Sequence, residues 1–557
     1  MGKHKRVKRT NRADPLARKT AQDEKIVNEK ILPLLNQLKS PKPAERAVAI
    51  GAMNAMADDP KLRRMLMKEK AVQTILAHTL TDSSQEITSE SYGFLRNVVL
   101  EEGRDAAMFL FRQNILASWV AAAQKLTAAW DVSMETLTGQ DRATVLEFAE
   151  NLLSLLSGLA MADDLIYDSI ISNAANDALM LASKVLNTGA KSSSDAAMEF
   201  LYVLTEDNPE VSVKLRELPL RQGTISSKVY YIGIQYNQAE ITQTSLLDLL
   251  KELVQVLQSV DASSLQNVEL GNISDPQELK ETTIKMAAVR SEINAIQVCF
   301  ELFGAITESL VGGDELGALQ YARDTVIPIC LEVIDRTEFT YRVASALNNI
   351  GWTLYAASSE SDSPETDWRA AAEQIWNKVV HLVGNEDVDI ASAAVGAMGA
   401  MAQEYGDSIN IESDVVQLIF SRCAALKTAD TKDEYLQYVQ PAIVFLAVVS
   451  VRTQNLELIG ALTDLLLEII MAGNEVQPSL LMEALDALID LFADNEAPAQ
   501  GIYVEKSVQQ QLKQSLPAVK RSLKAINKST ARGLWEQGNE ALMNISNFLE
   551  YKSEALQ

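Results

Sequence analysis

From about residue 20 onward, apolar residues recur at helical spacing and hardly stop. Ile26, Ile31, Leu34, Leu35 and Leu38 make one stripe. Pro41, Lys42 and Pro43 interrupt it, and Val48, Ile50, Met53 and Met56 resume it before Asp58, Asp59 and Pro60 interrupt again. Apolar side chains three and four positions apart share one helix face, so the rhythm is helix, short polar break, helix. One short run alternates, Lys228–Ile234, and it fits a loop or the bent start of a helix. Only 14 prolines and 24 glycines in 557 residues argue against a turn-rich all-β protein. With 47% apolar and 22% charged residues, the chain can bury a large core, which excludes wholesale disorder.

The periodic text repeats on a coarser scale. A pattern of small residues around Leu-x-x-Leu recurs in Ser91–Leu100, Asn151–Met161, Ala196–Thr205, Ala344–Leu354, Ala391–Ala402, Ala484–Ala493 and Ala541–Leu549. Spacings of roughly 40–60 residues are those of armadillo and HEAT units with loop insertions. Small residues let neighbouring helices cross closely, and Leu, Val and Met fill the layer between them. One unit cannot bury its apolar face alone, so the units must stack. The expected fold is all-α: a right-handed α-solenoid of armadillo and HEAT repeats with a disordered basic N-terminal tail. Periodicity is weakest at Leu218–Glu240 and Ser259–Glu281, and Ala357–Asp367 is a polar loop. This divides the chain into a tail (1–20), armadillo-type repeats (21–258), an acidic flexible connection (259–282) and HEAT-type repeats (283–557).

Charge is unevenly spread. The net charge is −25, yet residues 1–19 carry Lys3, Lys5, Arg6, Lys8, Arg9, Arg12, Arg18 and Lys19 against Asp14 alone. The strongly acidic remainder is unsuited to DNA, which needs clustered Lys and Arg, and suits basic partners. Within the tail, the basic cluster Lys3–Arg9 precedes Arg12, and after two intervening residues come Pro15 and Leu16. A basic block, an arginine and a stiff apolar anchor fit the acidic groove of a transport receptor. The arrangement resembles the basic subclass of proline-tyrosine nuclear localisation signals read by transportin-type importins, with Leu in the place of Tyr. The opposing reading is a solvated tail or an RNA-touching arm.

Catalytic signatures are missing. His4, His78 and His381 form no pair with metal-ligand spacing, and there is no phosphate-binding Gly-rich loop or nucleophile elbow. The acid pairs Asp58-Asp59 and Asp163-Asp164 fall at helix ends, where capping explains them. Cys299, Cys330 and Cys423 are far apart and odd in number, so no disulfide framework is expected. No apolar run reaches the roughly 20 residues that cross a bilayer; the longest, Ala442–Val451, fits a buried helix turn. The expectation is a non-enzyme with no cofactor, no metal, no membrane contact and a monomeric state.

The groove of the repeat stack is the better candidate. In armadillo units an Asn at a fixed place on the last helix holds the backbone of an extended peptide. Asn97 matches that place, and Asn349, Asp490 and Asn547 fall in or beside the same column. Glu404, Asp486 and Asp494 are placed to receive Lys or Arg side chains, and Trp352 to pack on the aliphatic stem of one. Each taken alone reads better as a cap, an exposed acid or a core residue; together they read better as an acidic groove for a basic segment.

The basic start at Met1, the text around Gly93–Glu102, the motif Leu347–Thr353, the block Glu483–Asp494 and the close Asn547–Lys552 together resemble the symportins, the synchronised-import adaptors of ribosome assembly, and their HEAT-repeat relatives in animals. The resemblance runs from Met1 to about Lys552. It implies a nuclear import adaptor and dedicated chaperone that shuttles between cytoplasm and nucleus. Such an adaptor carries the two large-subunit ribosomal proteins that accompany 5S ribosomal RNA. The tail engages a transportin-type receptor, and the C-terminal groove takes the basic segment of one cargo. An importin-alpha-like adaptor would need a regular Trp and Asn ladder, which six Trp residues do not supply. A non-transport α-solenoid scaffold is the other alternative. One departure is plain: the family's long acidic insertion, associated with the second cargo, has no counterpart at Ser259–Glu281. Either the insertion is reduced, or it has been deleted, or the halves divide elsewhere.

Overall fold

The computed structural model describes residues 23–555 apart from 135, 138, 207, 216–217, 221, 240–243, 261–264, 266–275, 312–315, 361–366, 407–408, 410, 429–431 and 529–530. The whole basic tail signal, Lys3 to Leu16, lies outside the described residues, as does most of the Ser259–Glu281 connection. Among the described residues every regular element is helical, and the chain is an all-α repeat protein.

Two compact units form. Unit 1 holds residues to Thr244 together with Gln266–Glu292, and unit 2 holds Ser245–Leu265 and Ile293 onward. The helix Leu246–Gln258 therefore packs with unit 2, where Cys299 Sγ lies 3.9 Å from the Leu253 carbonyl.

In unit 1, five helices pack in sequence as a ladder: α1 (Pro43–Ala57), α2 (Gln85–Arg112), α3 (Gly139–Ala162), α4 (Lys191–Thr205) and α5 (Ile225–Asn237). In unit 2 the ladder is α6 (Thr340–Glu360), α7 (Val388–Tyr405), α8 (Lys432–Thr453), α9 (Pro478–Phe492) and α10 (Arg532–Ala555). Other helices, such as Ala175–Thr188 and Leu456–Ala472, back each ladder. The run Lys228–Ile234 that alternates in sequence lies inside α5, begun by a capping box between Thr224 and Ser227. Its alternation reflects a helix apolar on more than one face: Val229, Tyr230, Ile232 and Ile234 are all buried.

The small residues of the repeats sit at helix crossings. A Cβ on Gly158 of α3 would come within 3.1 Å of Val99 of α2, and one on Gly399 of α7 within 3.3 Å of Trp352 of α6. Any side chain there would push the neighbouring ladder helix away. Leu152, Leu155, Leu156 and Leu159 of α3 are fully buried; each contributes about 1.5–3 kcal/mol by leaving water. Trp119 is equally buried, and its indole N–H donates to the Leu152 carbonyl at 2.8 Å. Helix starts follow their caps: Asp59 accepts from the Leu62 N–H, Asp163 from Leu165 and Asp387 from Asp389. Gly103, at φ 65° and ψ −142°, kinks α2 into two segments.

By length and composition α3 and Glu434–Thr453 within α8 are long and apolar enough to cross a membrane, although no single apolar run in either is that long. Both are mid-ladder helices covered on two sides, and at least half of each apolar window is buried. Their composition follows from that position in the stack. The three cysteines are buried and unpaired.

Candidate functional site

Unit 2 contains an open cleft of about 660 Å³ across four consecutive ladder helices. Tyr341, Ser345, Asn348 and Trp352 of α6 line one side; their spacing of four, three and four places them on one helix face. Ser392 and Gly396 of α7, Gln437, Gln440 and Pro441 of α8, and Glu483 of α9 complete it. A Cβ on Gly396 would fall 2.5 Å from Asn348 Oδ1, so a side chain there would turn the Asn348 carboxamide aside.

Pro441 sits inside α8 and has no N–H for the carbonyl four residues earlier, that of Gln437. Ser392 Oγ of α7 donates to that carbonyl at 2.9 Å. Gln437 Nε2 in turn donates to Asp389 Oδ1 at 2.6 Å. The cleft wall is thus a bonded polar surface of carboxamides, hydroxyls and two carboxylates, Asp389 and Glu483, with the Trp352 indole among its apolar lining. Extended polypeptide offers what such a wall takes: backbone amides and carbonyls in alternation.

On α9, Glu483, Asp486 and Asp490 rise along one face, at steps of three and four. Burial first, then the charges of Asp486 and Asp490, push Glu483 up to about 7. Asp486 is raised by partial burial and by Asp490 and Glu540, and Asp490 by partial burial. Both aspartates are nonetheless exposed at the surface. Among the described residues no Lys or Arg pairs with any of these four acids. The stack is a standing demand for positive charge.

The residues singled out by sequence are placed as follows. Trp352 and the acids at 486 and 490 belong to this surface. Asn349 lies one step round α6 from the lining Asn348: its Oδ1 accepts from Asn348 Nδ2 at 3.0 Å, and its Nδ2 lies 3.5 Å from Glu308. Asn547 is exposed in a second, smaller cleft between α9 and α10. Asp494 lies in the turn after α9, where its Oδ1 accepts from the Glu496 N–H at 2.8 Å. Glu404 is half-buried at the end of α7, where its charge is one of those raising Tyr405. Asn348, Gln437, Gln440 and Glu483 were not picked out by sequence. A Pro inside a helix text followed one turn back by Gln was their available signal.

Asn97 stands apart from them, on the unit 1 ladder. Arg96 donates to its Oδ1 through Nε at 3.1 Å and Nη2 at 2.9 Å, and through Nη1 to Asn151 Oδ1 at 2.7 Å. Asn151, 5% exposed, donates back to the Ser89 carbonyl at 3.2 Å. Beyond them on α4, burial raises Glu199 to about 7, with Arg96 drawing it down and Asp195 and Glu150 pushing it up. Burial likewise lifts Asp195 to about 6 against the Thr224 hydroxyl bond, with Glu150 adding to the rise. The unit 1 ladder therefore already holds a guanidinium between its two carboxamides.

Residues 340–556, the ladder that carries the open cleft, match a family model described as SYO1-like, TPR repeats. Across 621 aligned positions the chain is 24% identical to synchronized import protein 1 of Saccharomyces cerevisiae, covering 99% of both chains. The similarity runs the whole length of the chain. Symportin 1 of Chaetomium thermophilum is 23% identical over 677 positions, covering 100% of this chain and 99% of that one. An armadillo repeat protein involved in nucleocytoplasmic transport, Syo2 of Schizosaccharomyces pombe, is 22% identical with 98% of both covered. Each alignment is longer than the 557 residues of this chain, so these relatives carry residues that have no counterpart in it.

Proposed function

We propose that the chain is a nuclear import adaptor and dedicated chaperone for basic proteins. Its cargoes are the two large-subunit ribosomal proteins that accompany 5S ribosomal RNA. The observation that carries this is the unpaired carboxylate stack of α9 beside a peptide-sized polar cleft. An extended basic segment supplies both what the cleft wall bonds and what the stack lacks. The printed names of the full-length relatives, synchronized import and nucleocytoplasmic transport, support the same reading. The tail, with Arg12, Pro15 and Leu16, engages a transportin-type receptor, and the protein shuttles between cytoplasm and nucleus as a monomer. No step requires catalysis or a cofactor: binding shields the basic cargo.

The test is affinity capture from cell extract on the tagged full-length chain at moderate salt, read by mass spectrometry. The two 5S-associated ribosomal proteins and a transportin-type receptor are expected. Arg12→Ala/Pro15→Ala/Leu16→Ala should lose the receptor and nuclear entry while keeping cargo. Recovery of coat or scaffold components without either cargo would overturn the reading in favour of a non-transport scaffold.

A further inference from the structure

We propose that the second cleft, between α9 and α10, is an anchor site for an apolar side chain of the same basic segment, so that the groove reads charge and an apolar residue together. This rests on the groove reading above. The second cleft is about 330 Å³ and is lined by Ile489, Ala493, Asn544, Asn547, Phe548 and Tyr551. Its floor is apolar: Phe548 is 6% exposed and Ile489 half-buried. Its rim carries two carboxamides, from Asn544 and Asn547. Such a pocket takes an aliphatic or aromatic side chain while the amides hold the backbone on either side.

What covers it is set by its neighbours. Asp490 adjoins Ile489 in the chain and belongs to the carboxylate stack that runs back to Glu483 in the main cleft. Glu540 adds a further negative charge from α10. The neighbouring cation on α10, Lys552, is not available to these acids: it is fully buried and donates to Asn495 at 2.5 Å and to Gln500 at 2.9 Å. A purely apolar partner would bury unpaired carboxylates at its edge, which is costly. A basic segment with one apolar anchor satisfies both. From Glu483 to Ile489 or Ala493 the helix rises about 9–15 Å. Extended chain spans that in about three to five residues. The ligand is therefore a segment whose apolar anchor stands about four residues from its central basic side chains.

The probe is a fluorescein-labelled ten-residue peptide of lysine and serine with one leucine four positions from a central lysine pair. Its control has alanine in place of the leucine. Fluorescence anisotropy on the full chain at low salt should show the leucine peptide binding about tenfold tighter. Ala493→Trp fills the second cleft from an exposed position, so the fold tolerates it. It should erase the leucine preference. Glu483→Gln should weaken both peptides alike. Equal affinity of the two peptides for the unaltered chain, or a preference surviving Ala493→Trp, overturns the anchor site while leaving the groove standing. Failure of both peptides to bind the unaltered chain overturns the groove reading and the anchor with it.

Discussion

Ser392 Oγ donates at 2.9 Å to the carbonyl of Gln437, the carbonyl that Pro441 leaves without a helical partner. A helix-breaking residue has been accommodated by the neighbouring repeat, and the accommodation forms the wall of the cleft. Pro441→Ala restores the missing N–H and should stabilise the fold by about 1–3 kcal/mol. It should also weaken binding of a basic peptide by reshaping the wall. Ser392→Ala should cost under about 1 kcal/mol, since the bond faces solvent. Urea unfolding of both variants, alongside peptide titration, checks this. A Pro441→Ala protein no more stable than the original would mean that α8 has adapted fully to its proline.

The carboxylates at 483, 486 and 490 repel one another in the free protein. Glu483→Gln/Asp486→Asn/Asp490→Asn should therefore raise Tm by a few degrees while lowering affinity for a basic segment by about a hundredfold. The original protein's affinity should fall steeply with salt, and that slope should flatten in the triple variant. Isothermal titration at several ionic strengths separates the two effects. A slope unchanged by the triple variant would place the basic segment elsewhere.

Stability should depend on pH with a definite sign. Glu199 and Glu483 are raised to about 7 and Asp195 to about 6, against ordinary values of 4.5 and 3.8. Between the ordinary and the raised values the folded chain holds more protons than the unfolded one. Stability therefore declines as pH rises through that window. Tm should fall by a few degrees from pH 5 to pH 8. Affinity for a basic segment should move the other way, because ionised Glu483 is the form a cation selects. Calorimetry at fixed ionic strength tests both. A Tm rising across this range would contradict the burial of these three acids.

Arg96 holds Asn97 and Asn151 together and draws Glu199 down. Arg96→Leu leaves two carbonyl oxygens without their donor, at a cost of about 1–3 kcal/mol. It should also steepen the pH dependence just described. Arg96→Lys should rescue only part of the loss, because an ammonium cannot fork between the two carboxamides. Denaturant unfolding at pH 5 and pH 8 measures all three proteins.

The repeats were legible because helical periodicity and close-crossing small residues are local signals. Caps at Asp59 and Asp163 were legible for the same reason. Of the cleft surface, Trp352 and the acids at 486 and 490 were legible, and the rest less so residue by residue. Asn348 and Asn349 are neighbours in sequence but about 100° apart on the helix, so the one lining the cleft depends on how α6 is rotated against α7. At Asn97 the side chain before it, Arg96, takes up the carboxamide oxygen, which position alone does not reveal. Pro441 was not singled out in the sequence; the hydroxyl of Ser392, on the preceding ladder helix, makes its neighbourhood a wall.

A guanidinium seated between two carboxamides is what a peptide groove ordinarily collects from outside. At Arg96 the chain brings its own, written into the gene and delivered at synthesis. The two ladders thus differ in where positive charge is seated: Arg96 stands near the acids of α4, whereas among the described residues no Lys or Arg pairs with Glu483, Asp486 or Asp490.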